Sequence, residues 1–152
     1  MDNFKIVKFS ELSEAVQHLV KEATRVRKMA YCPYSNFAVG STLLTEQDSR
    51  IYTGCNIENS AMSPAICAER TAVSKAVCDG YRKFKVVVVV AEQQQEFTAP
   101  CGVCRQTLNE FRSSSGDMDV YLSRPAMDLV LCTKLSHILP LSFKLHNNAF
   151  CN

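Results

Sequence analysis

Apolar residues recur at helical spacing early in the chain. Leu12, Val16, Leu19, Ala23 and Val26 fall three or four apart, which predicts an amphipathic helix. Ser10 precedes them as a candidate N-cap, and the helix is expected to run to about Met29. "YCPYSNF" then breaks the pattern with Pro33 and polar neighbours, the mark of a loop. Residues 37–45 and 50–56 predict two strands joined by the polar turn "EQDS". A second helix is expected from Cys67 to Asp79, stopped by Gly80. Residues 84–91 are apolar except for Lys85 and rich in Val, as in a strand buried on both faces. A third helix opens at Pro100 and ends before "SSSGD". Residues 120–123 and 129–133 predict two short strands, and a last helical turn runs from Lys134 to before Pro140. The order α-β-β-α-β-α-β-β-α predicts an α/β domain with helices on both faces of the sheet. The expected architecture is a three-layer α/β/α sandwich with a mixed five-stranded sheet.

Composition narrows the class. The chain has 152 residues, which predicts one domain over 1–152, with residues 143–152 a tail of unassigned role. Hydrophobic residues make up 47% and charged residues 21%, ordinary for a soluble globular chain. The net charge is +2 with no basic block, so neither a nucleic acid nor a membrane is an expected partner. The start "MDNFKIVKFSEL" lacks an apolar signal core. The eight cysteines read as reduced thiols of a cytoplasmic protein, available for metal or catalysis.

The chemistry begins at "APCGVCRQTLNEF". Cys101 and Cys104 stand at C-x-x-C spacing at a helix start. Such a pair serves as a redox couple or as part of a zinc site, and it also occurs by chance in a cysteine-rich chain. The discriminating context is "SPAICAERTAVSKA", where Cys67 and Glu69 open the second helix. Thiols at helix N-termini ionise more easily, because the dipole and free N–H groups favour negative charge. Two such starts flanking one buried strand can face each other at one sheet edge, where open α/β folds bind ligands. Three cysteines leave the fourth position of a tetrahedral zinc free for water. Arg70 is placed to support the thiolates, and Glu69 is free to act as a base rather than a ligand. One geometric condition follows. Residues two apart do not face the same way on a helix, so Cys67 must lie at the non-helical edge. A closed zinc site would need a fourth ligand. Cys55, Cys78, Cys132 and His137 are candidates, but none sits at a natural spacing. Cys32 and Cys151 read as plain thiols, and His18, His137 and His146 as surface or satisfied residues.

"CAE" at 67–69 with "PCGVC" at 100–104 resembles the signature of the zinc-dependent cytidine deaminase family. "CPYSNFAVG", "GCNIENSA", "ICAERTAVSKAV" and "PCGVCRQ…EF" extend the resemblance over residues 10–143 and resemble the short, free-nucleoside, homotetrameric class. The resemblance implies hydrolysis of cytidine and deoxycytidine to uridine and deoxyuridine plus ammonia, in pyrimidine salvage. It implies one Zn²⁺ per subunit on Cys67, Cys101 and Cys104, and attack by zinc-bound hydroxide at C4 with Glu69 as proton shuttle. It further implies that Asn56 and Glu58 hold ribose hydroxyls, Phe37 packs on the pyrimidine and the Ala68 N–H meets the ring oxygen O2. Phe143 is implied to enter a neighbouring subunit's site. Two features depart from the pattern. Met62 stands where relatives carry an aromatic residue, with the proline shifted to Pro64. The end reads "KLHNNAFCN". Two rival readings are an enzyme for another cytosine-bearing nucleoside, such as an antibiotic, and a zinc module without catalysis.

Overall fold

The structure is a computed structural model that describes residues 3–93, 96–113 and 115–145. His146, Cys151 and the tail beyond Leu145 lie outside the described residues. One mixed sheet is built from β1 (Lys5–Lys8), β2 (Val39–Thr45), β3 (Ile51–Cys55), β4 (Phe84–Ala91), β5 (Asp119–Ser123) and β6 (Leu129–Lys134). Their order across the sheet is β1-β6-β5-β4-β2-β3. β4 and β5 are parallel, and the other neighbours pair antiparallel. The helices are α1 (Glu14–Arg27), α2 (Ala68–Cys78), α3 (Gly102–Glu110) and α4 (Leu135–Ile138).

The sheet therefore has six strands, not the expected five. The added strand, β1, sits at the edge with Lys5 opposite Cys132 and Lys8 opposite Leu129. The first helix also starts later than expected. Residues Phe9–Glu11 form a 3-10 turn out of β1, and Ser13, not Ser10, caps α1 by accepting from the Val16 N–H. Leu12 thus lies outside the helix. The remaining elements fall within a few residues of their predicted positions.

β4 explains the layering. Val86, Val88 and Val90 pack with Leu19, Val20 and Ala23 of α1. Val87 and Val89 face the opposite core, with Ala72, Val73 and Ala76 of α2 and Leu108 of α3. Alternate side chains of a strand point to opposite faces, so a strand covered on both sides must be apolar throughout. Each fully buried valine contributes about 1.5–3 kcal/mol, and this strand holds the centre of the three-layer α/β/α domain.

Two glycines let the helices lie against the sheet. A Cβ on Gly40 would stand 2.0 Å from the Ala23 carbonyl oxygen of α1. A Cβ on Gly54 would stand 2.2 Å from the Ala68 carbonyl oxygen and 2.5 Å from the Ala72 nitrogen of α2. All of these are backbone atoms, so the helix itself would have to move. Gly54→Ala is expected to cost about 1–3 kcal/mol through overpacking. That lowers Tm by roughly 2–4 °C per kcal/mol in a chain of this size. Thermal unfolding followed by circular dichroism measures it, and an unchanged Tm would show that α2 is not seated on β3 this closely.

Candidate metal centre and active site

The N-termini of α2 and α3 meet at the sheet edge where β4 ends. Cys67 is the N-cap of α2, in extended conformation at φ −74° and ψ 156°. Cys101 is the N-cap of α3, at φ −66° and ψ 168°. Cys67 thus lies just before the helix, which removes the conflict between it and Glu69. Cys104 lies one turn into α3 and is fully buried. The three sulfurs all lie within 4.8 Å of one another, and the Cys67 and Cys101 sulfurs are 3.9 Å apart. Thiolates held tetrahedrally at about 2.3 Å from one centre stand about 3.8 Å apart, so the spacing fits zinc. Among the described residues no fourth histidine, cysteine or carboxylate joins the cluster. That is the donor set of a catalytic rather than a closed site.

The electrostatics of the bare sulfurs agree with a cation's place. The Cys104 thiol and Arg70 stabilise a Cys67 thiolate, whose pKa falls to about 5. Contact with that thiolate and burial push the Cys104 thiol well above its usual value. Three sulfurs this close do not all ionise without a cation between them. Arg70 Nη2 stands 4.0 Å from the Cys67 sulfur and donates to the Ala65 carbonyl at 3.1 Å. Its Nε is buried with no acceptor among the described residues.

Glu69 is 4% exposed and faces the same region from the first turn of α2. Burial pushes its pKa up to about 7, and the nearby Cys67 thiolate adds to the rise. Its own backbone N–H, the Cys104 thiol and Arg70 act in the opposite direction. Ala68 opens α2, so its N–H is among the four donors that no helix carbonyl satisfies.

A cavity of about 220 Å³ joins these groups. Phe37, Asn56, Cys67, Ala68, Glu69 and Cys101 line it, together with Val39, Val89, Thr98 and Ala99. Asn56 is braced on both sides of its amide. Oδ1 accepts from the Val39 N–H at 2.8 Å and Nδ2 donates to the Phe37 carbonyl at 2.8 Å. Glu58 stands outside the cavity wall. It accepts from the Tyr34 and Ser35 N–H groups at 2.9 and 3.2 Å and from the Ser35 hydroxyl. The hydroxyl, then the two N–H groups, hold its carboxyl below the usual range. Phe143 does not line the cavity of its own chain. It is 71% exposed, and its carbonyl accepts from Gln106 Nε2 at 3.0 Å. Met62, at the departure from the family pattern, is exposed with φ +56°.

The sequence reasoning passed over Thr98, Ala99, Val39, Val89 and Ser35. The position of Val89 near the end of the buried strand, and of Thr98 and Ala99 just before "PCGVC", were available signals. Ser35 had the weaker one of standing two residues before Phe37.

Comparison with known proteins agrees with this geometry. Residues 13–116 match the family model of the cytidine and deoxycytidylate deaminase zinc-binding region. A cytidine deaminase from Sporosarcina psychrophila is 48% identical over 128 residues, 84% of this chain and 90% of that one. A probable cytidine deaminase from Dictyostelium discoideum is 43% identical over 112 residues, 74% of this chain and 73% of that one. The crystal structure of cytidine deaminase from Burkholderia pseudomallei superposes with a TM-score of 0.77 at 37% identity, covering 87% of this chain and all of that one. With a three-cysteine cluster at the matched region and this fold around it, the chain belongs to the zinc-binding cytidine and deoxycytidylate deaminase family.

Proposed function

We propose that this protein hydrolyses the 4-amino group of cytidine and deoxycytidine, releasing ammonia and leaving uridine or deoxyuridine, a step of pyrimidine salvage. The observation that carries the reading is Glu69. A buried carboxylate lies in a cavity beside three clustered sulfurs and is not one of the cluster. Zinc, when bound by Cys67, Cys101 and Cys104, supplies the Lewis acidity that makes a nucleophile of water near neutral pH. Glu69 would take one proton from the attacking water and deliver it to ring N3, then take a second from the hydroxyl added at C4 and deliver it to the departing amine, as the non-ligand glutamate of zinc deaminases does. Phe37 packs on the pyrimidine, and the free N–H of Ala68 donates to O2. Asn56 keeps one amide hydrogen and one lone pair beyond its two internal bonds, enough to meet a sugar hydroxyl. Glu58 accepts from another.

The family includes nucleotide deaminases, and charge separates the two substrates. Binding a 5′-phosphate calls for arginine, lysine or an aimed helix N-terminus, and among the described residues no Lys or Arg lines the cavity. A spectrophotometric panel of cytidine, deoxycytidine, deoxycytidine monophosphate, cytosine and adenosine, with and without chelator, tests the reading. The two nucleosides are expected to react and the chelator to stop them. Preference for the monophosphate, or a zinc-loaded protein inert toward every compound, would overturn it.

The proposal extends to a single domain acting in the cytoplasm as a homotetramer, with active sites at subunit interfaces. All seven described cysteines are free, as in a reducing compartment. Among the described residues no helix is long and apolar enough to cross a membrane. Phe143, exposed and away from its own cavity, is free to serve a neighbour's. Sedimentation at micromolar concentration is expected to show the tetramer, and a fully active monomer would refute it. Phe143→Ala should raise KM about 2–10-fold through one lost aromatic contact, while the assembly stays intact.

A further inference from the structure

We infer that Ser35 is a positioning residue for sugar recognition: its hydroxyl couples the Glu58 carboxylate to the backbone of Phe37. This rests on the proposed role of Glu58 as a sugar ligand. The Ser35 hydroxyl has one proton, and it goes to Glu58 Oε1. The same oxygen accepts from the Phe37 N–H at 3.0 Å. The Phe37 carbonyl, on the other side of the residue, accepts from Asn56 Nδ2 at 2.8 Å. Phe37 is thus held at both its N–H and its C=O, each time by a side chain bonded to or belonging to the 56–58 segment. That segment is itself paired to the same loop, through Tyr31 N–H to the Asn56 carbonyl at 3.0 Å and Glu58 N–H to the Tyr31 carbonyl at 2.7 Å. The base-packing ring and both proposed sugar ligands form one hydrogen-bonded unit, and Ser35 closes it.

Counting lone pairs sharpens this. A carboxylate has about four acceptor sites. Oε2 of Glu58 takes the Tyr34 and Ser35 N–H groups, and Oε1 takes the Ser35 hydroxyl. One site remains, on Oε1. Glu58 is therefore set to accept from a single sugar hydroxyl, and the Ser35 proton fixes which direction the vacant lone pair faces. Without that proton the carboxylate is free to rotate about the two N–H groups, and Phe37 loses one of its two anchors. Neither loss touches Glu69 or the sulfurs.

The test is steady-state kinetics on zinc-loaded protein with cytidine and 2′,3′-dideoxycytidine. Ser35→Ala is expected to raise the cytidine KM about tenfold, the scale of one charge-assisted hydrogen bond, with kcat nearly unchanged. It should also shrink the preference for cytidine over the dideoxy compound. Ser35→Thr, which keeps the hydroxyl at an exposed position, should restore both. Glu58→Gln is measured beside them. If Glu58→Gln leaves the cytidine KM unchanged, the sugar role of Glu58 falls. If Glu58→Gln raises KM but Ser35→Ala does not, the sugar role stands and the positioning role falls. The Ser35→Ala/Glu58→Gln double variant should be no worse than Glu58→Gln alone, and fully additive effects would overturn the coupling. Should Ser35→Ala fail to fold, Ser35→Thr and Ser35→Val differ chiefly in the hydroxyl, and equal KM values for that pair would overturn it too.

Discussion

Glu69→Gln is expected to leave a folded, zinc-loaded protein that no longer turns over cytidine. Positioned acid–base groups contribute about 10²–10⁴-fold to rate, and Glu69 is proposed to transfer two protons in turn, so the loss should reach at least the upper end. The fold should survive for a specific reason. Glu69 is nearly excluded from water, and burial already disfavours its charge. A glutamine of the same shape needs no charge desolvated. The three sulfurs remain, since Glu69 is not part of their cluster. Three measurements on one preparation decide the matter: zinc per subunit by atomic spectroscopy, far-ultraviolet circular dichroism, and the absorbance change of cytidine. Activity within tenfold of the unsubstituted protein would remove Glu69 from the chemistry. Parallel loss of zinc would instead make it a support of the metal. A Glu69→Asp variant adds a distance test. It keeps the carboxylate but withdraws it by one methylene, and a group that must reach a ring nitrogen does not tolerate that withdrawal.

What local pattern reveals, and what it hides, can be seen by comparing the interior of the sheet with its edge. β4 was legible because six consecutive apolar residues, Val86–Ala91, bounded by Lys85 and Glu92 admit few alternatives. The starts of α2 and α3 were legible because Cys67, Pro100 and Cys101 mark them and Gly80, at φ +93°, ends the first. β1 was not. Its four residues, Lys-Ile-Val-Lys, are too few for a period, and their partner β6 lies more than a hundred residues downstream. Missing β1 also misplaced the helix start, since Ser10 and Ser13 are equally good caps. Only the turn leaving β1 decides between them. The site divides in the same way. The three cysteines and Glu69 stood out by residue type and spacing, because metal chemistry admits few substitutes, and the structure brings the three sulfurs together. The bracing of Asn56 and Glu58 was not, because their partners lie 17–24 residues away in a loop without periodicity. From sequence these two read as polar residues at a strand end. In the structure they also hold the loop that carries Phe37.

Cys104→Ser should abolish both zinc retention and turnover, and it discriminates an open catalytic centre from free thiols that happen to lie close. Among the three cysteines Cys104 is the fully buried one, so a serine there leaves the surface and the helix cap untouched. Its hydroxyl is a much weaker zinc ligand than a thiolate. Losing a residue that merely supports a ligand costs about 10–100-fold in metal affinity, and losing the ligand itself should cost more. A metal held by these cysteines would join the first residues of two helices whose own contacts with each other are few, and so would also tie α2 to α3. Chelator should therefore lower the Tm of the unsubstituted protein, because a ligand that binds only the folded state stabilises it. The same chelator should leave Cys104→Ser where it already is. That internal control separates metal loss from a packing defect. If the serine variant unfolds at a low temperature that chelator lowers further, it still binds metal. If chelator moves neither protein, the three sulfurs hold no zinc, and Glu69 stands beside thiols with nothing to activate.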